Sequence, residues 1–330
     1  MDTDNLAAFG GRIDGGNAMW PPRRTHALRD PGHGWRVMLL VVLGVLAGCA
    51  TAPTEQIQYF SSAFDAVNTV GQPLLDDLAI AERQQGQSNA AAPGAACPHS
   101  LIRSGTSSVM LGFCNQDAPY FSDVGDPPAT QEFRGGLAVL KSYVDLLLSL
   151  TNGKSASDAV AQVNVLGHKI SALLTTFGAG APGAAIPTAL AALQPILSQA
   201  AQQLSVQQVR RVVLNGAPQV TALIDALANS APQVFRTVTR PVLLNLEKKS
   251  PATFAADKAK YDTYRKIVSN YVVLLGKLRE AWIQTVAATK APSAPSLADV
   301  ANSAGQLQAD AAAILRTYAM LRTGIVPTTP

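Results

Sequence analysis

Apolar residues recur at alternating steps of three and four along most of the chain. This period is typical of amphipathic helices that pack side by side. No stretch alternates apolar and polar residues over the length of a strand, and there is no strand–helix–strand rhythm. The stretches with the helical period are residues 57–81, 133–147, 160–177, 186–204, 261–282 and 297–321. The pattern therefore predicts an all-α protein, an elongated antiparallel helical bundle of about six helices over residues 54–330.

Capping signals predict where several of these helices begin. Ser155-Ala-Ser-Asp158 and Ser205-Val-Gln-Gln208 have the spacing of capping boxes, in which a serine hydroxyl binds a first-turn amide. Proline removes a helical hydrogen bond. We therefore expect breaks or kinks within residues 205–249, at Pro218, Pro232 and Pro241.

Two segments stand apart from the helical pattern. Residues 87–130 are rich in Gly, Ser, Ala and Pro and include two cysteines. A loop of this length inside a compact domain is uncommon and often functional. We therefore expect this insertion to be a partner-facing surface.

The other segment lies near the N-terminus. Val37–Gly48 contains no charged residue, and arginines precede it. A helix of this length spans about 18 Å, which is less than the bilayer core of about 30 Å. It fits the apolar region of a secretory signal instead.

The apolar segment ends in Leu46-Ala47-Gly48-Cys49, which resembles the lipobox of a bacterial lipoprotein signal peptide. The resemblance implies that residues 1–48 are removed, that Cys49 carries diacylglycerol, and that its new amino group is acylated. Palmitate-type chains would then anchor the protein to the lipid bilayer. An ordinary signal peptide, or a core helix with a chance cysteine, is the alternative. Residues 49–53 would form the acylated tether.

Two details refine this expectation. The leader is long for its class, and translation starting at Met19 would keep the arginines. In double-membraned bacteria, Asp after the lipidated cysteine favours retention in the inner membrane, whereas this chain has Ala50. The resemblance therefore favours delivery to the outer membrane, facing the periplasm.

Once Cys49 is assigned to lipidation, Cys97 and Cys114 remain. An even pair in an exported chain predicts a disulfide, which would contribute about 3 kcal/mol by closing the loop between them. Two free thiols or a metal pair is the alternative.

Composition narrows the functional classes. The chain of 330 residues is 48% hydrophobic and 15% charged, with a formal net charge of +4. It is too apolar to be disordered throughout, and its charge is too small for nucleic-acid binding to be expected.

The sequence offers little that resembles a catalytic or cofactor motif. Neither His99 nor His168 has metal-ligand neighbours at useful spacing. Asn152-Gly-Lys-Ser155 imitates the end of a phosphate-binding loop but lacks the upstream glycine and a preceding strand. Asp76 and Asp77 are adjacent on a helix and are interpreted as a solvated face. We therefore expect no enzyme, metal, cofactor or nucleotide site.

Two apolar features have competing interpretations. Tyr261, Tyr264, Tyr271 and Trp282 form one stripe, interpreted as helix core rather than a ligand groove. Residues 170–209 contain no charge. This stretch predicts a helical hairpin buried centrally in the bundle, or else a surface that docks on a membrane or protein.

The leading hypothesis is a membrane-anchored lipoprotein that acts as a structural or protein-interaction module with an envelope partner. A carrier of an apolar ligand or lipid, with a cavity near residues 178–185, is the alternative. A cell-envelope hydrolase is a third and weaker possibility.

Overall fold

A computed structural model describes residues 52–92, 100–104, 107–111, 114–152, 155–177, 185–246, 251–290 and 297–323. These residues are overwhelmingly helical, so the all-α prediction is confirmed. The helices in this part of the chain are α1 (Ala52–Ala90), α2 (Ala118–Phe121), α3 (Pro128–Thr151), α4 (Ala156–Phe177), α5 (Ala185–Ala201), α6 (Val206–Asn215), α7 (Ala217–Leu246), α8 (Pro251–Lys290) and α9 (Leu297–Thr323).

Five of the six predicted helical stretches lie entirely in helices. The stretch 186–204 extends past the end of α5 at Ala201, and its last residue, Leu204, is exposed, so its predicted place on the buried helix face is wrong. The described residues hold nine helices rather than about six. The additional ones are the short α2 and the pair α6 and α7, which occupy the proline-containing stretch. The insertion also differs from the expected loop, because strands β1 (Ser100–Ser104) and β2 (Ser107–Leu111) form a two-stranded antiparallel hairpin there. Five-residue strands are too short to give a clear sequence period.

The three prolines in residues 205–249 have different effects. A helix boundary precedes Pro218, since α6 ends at Asn215 and α7 begins at Ala217. Helix α7 continues through Pro232 and Pro241, so neither proline breaks the helix, and a kink at either position stays a prediction. At the boundary, Gly216 lies so close to the Ile196 side chain that an added Cβ would be 3.2 Å from it.

The predicted caps of α4 and α6 are confirmed. The Asp158 amide donates to Ser155 Oγ at 3.2 Å, and the Gln208 amide donates to Ser205 Oγ at 3.3 Å. Each hydroxyl satisfies an amide that the first helical turn leaves without a backbone partner.

Helix α1 lies at the centre of the packing, in contact with α2, α3, α7, α8 and α9. Its apolar side chains are buried on several sides, including Phe60, Phe64, Val67 and Leu75. The prediction that the charge-free stretch forms the central hairpin is therefore wrong. That stretch covers the end of α4 and all of α5, whose outer face is exposed at Ala191, Gln194 and Ser198.

Two ends of this helical domain can be defined along α1. The near end is the level of Gln56–Phe60, where α1 begins, and the far end is the level of Glu82–Ala90, where it finishes. Helix α8 runs antiparallel to α1, because Tyr264 donates to Asp77 whereas Trp282 packs on Phe60 with ring centroids 4.9 Å apart.

The other long helices are assigned directions in the same way. Helix α3 begins at the far end, where the Ala129 amide donates to Glu82, and its Tyr143 packs on Trp282 at the near end. Helix α9 runs parallel to α1, from Leu307 beside Tyr59 to Tyr318, which donates to Asp77.

The remaining helices continue this alternation. Lys169 of α4 donates to Ser142 of α3, and Gly135, earlier in α3, contacts Leu173, so α4 runs back toward the far end. Helix α5 runs toward the near end, from Ile186 beside Gly136 to Ile196 beside Gly216. Helix α7 then runs toward the far end and packs along α8.

Candidate functional site

The residues predicted to carry lipidation lie outside the described part of the chain. These are the recognition residues Leu46, Ala47 and Gly48 and the acceptor Cys49. Cys97 is outside it as well, so its disulfide with Cys114 stays a prediction. The cavity expected near residues 178–185 falls almost entirely in the undescribed range 178–184.

The far end carries an open cleft with a volume of about 420 Å³. Its walls come from the end of α1, from α2 with the residue preceding it, from the start of α3, and from the middle of α7. Most of the lining side chains are polar: Glu82, Gln85, Asn89, Asp117, Tyr120, Gln233 and Thr237. The cleft adjoins the insertion at residues 87–130, which was expected to face a partner.

Glu82 fixes the floor of the cleft by capping α3 from another helix. Its carboxylate accepts hydrogen bonds from the amides of Ala129 at 2.8 Å and Thr130 at 2.9 Å, and from the Thr130 hydroxyl at 2.9 Å. The N-terminal amides of α3 receive no bond from the side chain of the N-cap residue, Pro127. A carboxylate there is also stabilised by the positive end of the helix dipole.

Tyr120 closes one side of the cleft by packing against a glycine of α1. A Cβ added to Gly86 would lie 2.2 Å from Tyr120 Cγ, so a larger residue there displaces the ring. The Tyr120 carbonyl also accepts a hydrogen bond from Gln87 Nε2 at 2.8 Å. A second hydrogen bond holds the segment after Tyr120 against α1, because Arg83 donates to the Gly125 carbonyl at 2.6 Å.

Carboxylates make the potential in this region negative. Burial raises the pKa of Tyr120, and the nearby charges of Glu82 and Asp117 raise it further. Burial also raises the pKa of Glu132, with a contribution from Glu82. Because the carboxylates of Glu82 and Asp117 line the cleft, it suits a polar or cationic group better than an anion.

Exposed apolar side chains also lie at the far end. Val124 is 89% exposed and Phe121 is 45% exposed, both in the segment that Gln87 and Arg83 hold against α1. Leu243, Leu244 and Phe254 are also exposed, where α7 ends and α8 begins. Exposed apolar residues of this size, next to polar groups, are typical of protein interaction sites.

The interpretation of Asp76 and Asp77 as one solvated face is wrong for Asp77. Its side chain is 17% exposed, against 52% for Asp76. Asp77 accepts hydrogen bonds from the hydroxyls of Tyr264, at 2.9 Å, and Tyr318. Because these three residues belong to α1, α8 and α9, the aspartate is a structural link between helices.

The aromatic stripe of α8 lies mostly in the core, as predicted. Tyr264, Tyr271 and Trp282 are buried, and the Trp282 indole donates to the Ala217 carbonyl at 3.1 Å. Tyr261 is half-buried and packs on Phe235 with ring centroids 5.2 Å apart.

Other candidate chemistry is sparse in the described residues. His168 lies on the exposed side of α4, and among these residues no cluster of His, Cys, Asp and Glu has the arrangement of a metal site. Ser155 caps α4, after helix α3 rather than a strand, so it has a structural explanation without nucleotide. Within the same part of the chain, none of the helices combines the length and apolar character needed to cross a membrane.

No protein-family model, no curated protein and no solved structure matches this chain. Its function is therefore inferred from the residues themselves. The lipobox is visible in the sequence. The cleft is not, because Glu82, Gly86 and Tyr120 meet only through contacts between distant segments.

Proposed function

We propose that this chain is a membrane-anchored lipoprotein facing the periplasm, and that its helical domain acts as a structural or protein-interaction module. In this proposal the domain is an elongated antiparallel bundle, and Ala50 after Cys49 favours the outer membrane. The main supporting observation is the sequence Leu46-Ala47-Gly48-Cys49, which directly follows the charge-free run of the apolar segment Val37–Gly48 and has the residues of a lipobox.

The geometry of the far end supports the second half of the proposal. The cleft and the exposed apolar side chains lie at the end of α1 opposite to Ala52, its first residue. Helix α1 has 39 residues and so extends about 58 Å at about 1.5 Å per residue. An acylated Cys49 would therefore place these surfaces well away from the lipid, where an envelope protein can reach them.

Replacing the acyl acceptor tests the anchor. We expect Cys49→Ser to abolish incorporation of labelled palmitate, because a serine hydroxyl cannot form the thioether to diacylglycerol. The measurement is palmitate labelling of cells. Gly276→Ala is a matched control, since an added Cβ at this exposed glycine of α8 meets no atom within 4 Å. Palmitate incorporation into the Cys49→Ser protein equal to that of the wild type would refute the proposal.

Site-specific photocrosslinking tests the interaction surface. A photoreactive side chain at Phe121, on the far end, should crosslink to one discrete envelope protein. The same group at Val165, which is similarly exposed on the outer side of α4, should not. Equal crosslinking at both positions would contradict a partner surface at the far end.

The carrier hypothesis predicts a different result. Native mass spectrometry of the gently extracted protein would reveal a bound apolar molecule in addition to the acyl chains. A protein that carries only its anchor supports the interaction module, and a stoichiometric second lipid supports the carrier.

A further inference from the structure

The tether leaves little distance between the lipid and the helical domain. Helix α1 begins at Ala52, so only Ala50 and Thr51 separate it from Cys49. Three residue steps extend at most about 11 Å. This inference rests on the proposed lipidation of Cys49, and it concerns which surface of the domain the short tether brings to the bilayer.

An exposed leucine, Leu204, lies just after the end of α5 at the near end of the domain. Its Ile186 lies beside Gly136 of α3 and its Ile196 lies beside Gly216, at the start of α7. The helix therefore runs toward the near end, where it finishes at Ala201. Leu204 follows directly and is 92% exposed.

The backbone next to Leu204 is held in place. Ser205 adopts an extended conformation and caps α6 through its side chain, and the Gln203 amide donates to the Ala200 carbonyl at 3.2 Å. Leu204 is thus an exposed apolar side chain between two anchored residues.

Helix α6, which follows Leu204 in the chain, adds two arginines. Val209 and Val213 are buried in the domain, whereas Arg211 is exposed and Arg210 is half-buried. Neither arginine forms an ion pair with another residue that the structure describes. Long cationic side chains suit the level of lipid headgroups, since their stems lie on apolar surface and their charged ends remain hydrated.

Carboxylates at the same end limit the electrostatic attraction. Glu55 is exposed in the first turn of α1, and Asp158 is exposed at the start of α4. Glu280 adds a carboxylate and Lys277 a cation at the level of Tyr59, so the described charges at this end nearly balance and attraction to acidic lipid is weak. The apolar side chain of Leu204 therefore carries more of the contact than charge does.

We propose that the near end is a lipid-facing surface, in which Leu204 enters the interfacial layer of the bilayer while Arg210 and Arg211 lie at the headgroups. The occupant is the same membrane that holds the Cys49 acyl chains. An apolar side chain beside an acyl anchor adds buried area to membrane binding without a spanning helix.

Tryptophan fluorescence can test this contact, because Trp20 and Trp35 precede Cys49 and Trp282 is buried. The purified lipidated protein would be placed in vesicles of phosphatidylcholine and phosphatidylglycerol, with and without bromine on the acyl chains. We expect Leu204→Trp emission to fall in brominated vesicles. The matched variant Val124→Trp, with a similarly exposed position at the far end, should keep its emission, as should the wild type.

The outcomes separate this inference from the anchor itself. If the protein floats with the vesicles but Leu204→Trp and a second near-end variant, Gln202→Trp, are not quenched, the lipid-facing surface is refuted while the anchor stands. Equal quenching of Leu204→Trp and Val124→Trp would also refute a contact limited to the near end. If the wild-type protein does not float with vesicles at all, the lipid anchor fails as well. Circular dichroism checks that each variant is folded.

Discussion

The two ends of the helical domain are built by different physical means. At the near end, Phe60, Tyr143 and Trp282 form a buried aromatic cluster that joins α1, α3 and α8. At the far end, a polar cap from Glu82, the Tyr120 ring and hydrogen bonds from Arg83 and Gln87 hold the insertion in place. The near end is therefore stabilised by the buried area of large aromatic side chains. The far end instead leaves polar and apolar side chains accessible to solvent.

This difference shows how one helical domain can divide stability and recognition. Segments with few buried apolar contacts open at lower free energy than the core, and binding surfaces are drawn from such segments. In the proposed arrangement, the near end is the rigid part that also faces lipid, and the far end is the adaptable part that meets a partner.

The largest effect is expected when the near-end cluster is broken. Trp282→Ala removes a fully buried indole and leaves its partners around a cavity, so it should lower the free energy of unfolding by about 3–5 kcal/mol. Chemical denaturation followed by far-UV circular dichroism measures this change. A loss below about 1 kcal/mol would mean that the near end is not the main source of stability.

The link at Asp77 should rank second. Asp77→Ala leaves the buried hydroxyls of Tyr264 and Tyr318 without their carboxylate acceptor, at a cost of about 2–3 kcal/mol. Asp76→Ala removes a partly exposed ion pair with Arg134 and should cost less than about 1 kcal/mol. Equal losses in the two variants would contradict the assignment of separate roles to these neighbours.

A smaller and more local effect is expected at the far end. Gly86→Ala places a methyl group where the Tyr120 ring packs, so it should cost about 1–3 kcal/mol. Gly276→Ala, in open space on α8, should instead stabilise by about 0.5–1 kcal/mol. Hydrogen exchange of Gly86→Ala should accelerate in residues 114–127 and remain unchanged near Trp282. Equal acceleration of hydrogen exchange at both ends would contradict the proposed difference in stability between them.

Alkaline pH gives the smallest effect under ordinary conditions. Burial raises the pKa of Tyr143, Tyr271 and Tyr318 above the ordinary value, with the Asp77 carboxylate adding to the rise at Tyr318. The folded protein then holds more protons than the unfolded chain above about pH 10, so stability is present below that pH and falls as pH rises. Each such tyrosine contributes about 1.4 kcal/mol of loss per pH unit there.

The control for this prediction is Tyr318→Phe. It should show a shallower decline of unfolding free energy between pH 10 and pH 11, by about one proton, than the wild type. Parallel declines would mean that Tyr318 does not remain protonated in the folded protein.

The helical period in the sequence predicts much of the core correctly. Residues such as Leu137, Leu140, Val144 and Trp282 occupy predicted seam positions and are buried, because burial on one helical face leaves a repeat in the sequence. The same rule fails where the repeat is too short. The strands at 100–104 and 107–111 are not predicted, because five residues are too few to show a clear alternating pattern.

Predictions that use only neighbouring residues in the sequence also fail for α7 and for the cleft at the far end. Helix α7 passes through Pro232, which is exposed, so its ring does not have to fit into the packed core. The three residues before Pro218 are Asn-Gly-Ala, and those before Pro232 are Asn-Ser-Ala. Only the first of these segments, which contains Gly216, forms a boundary between two helices. The cap from Glu82 to Ala129 joins residues far apart in the chain, which no local pattern can predict.

The most direct test of the central claim is the mass of the N-terminal peptide of the protein purified from membranes. We predict that the mature chain begins at Cys49 and that this residue carries diacylglycerol and an N-linked acyl chain. A mature chain that begins elsewhere, or an unmodified Cys49, would contradict this claim.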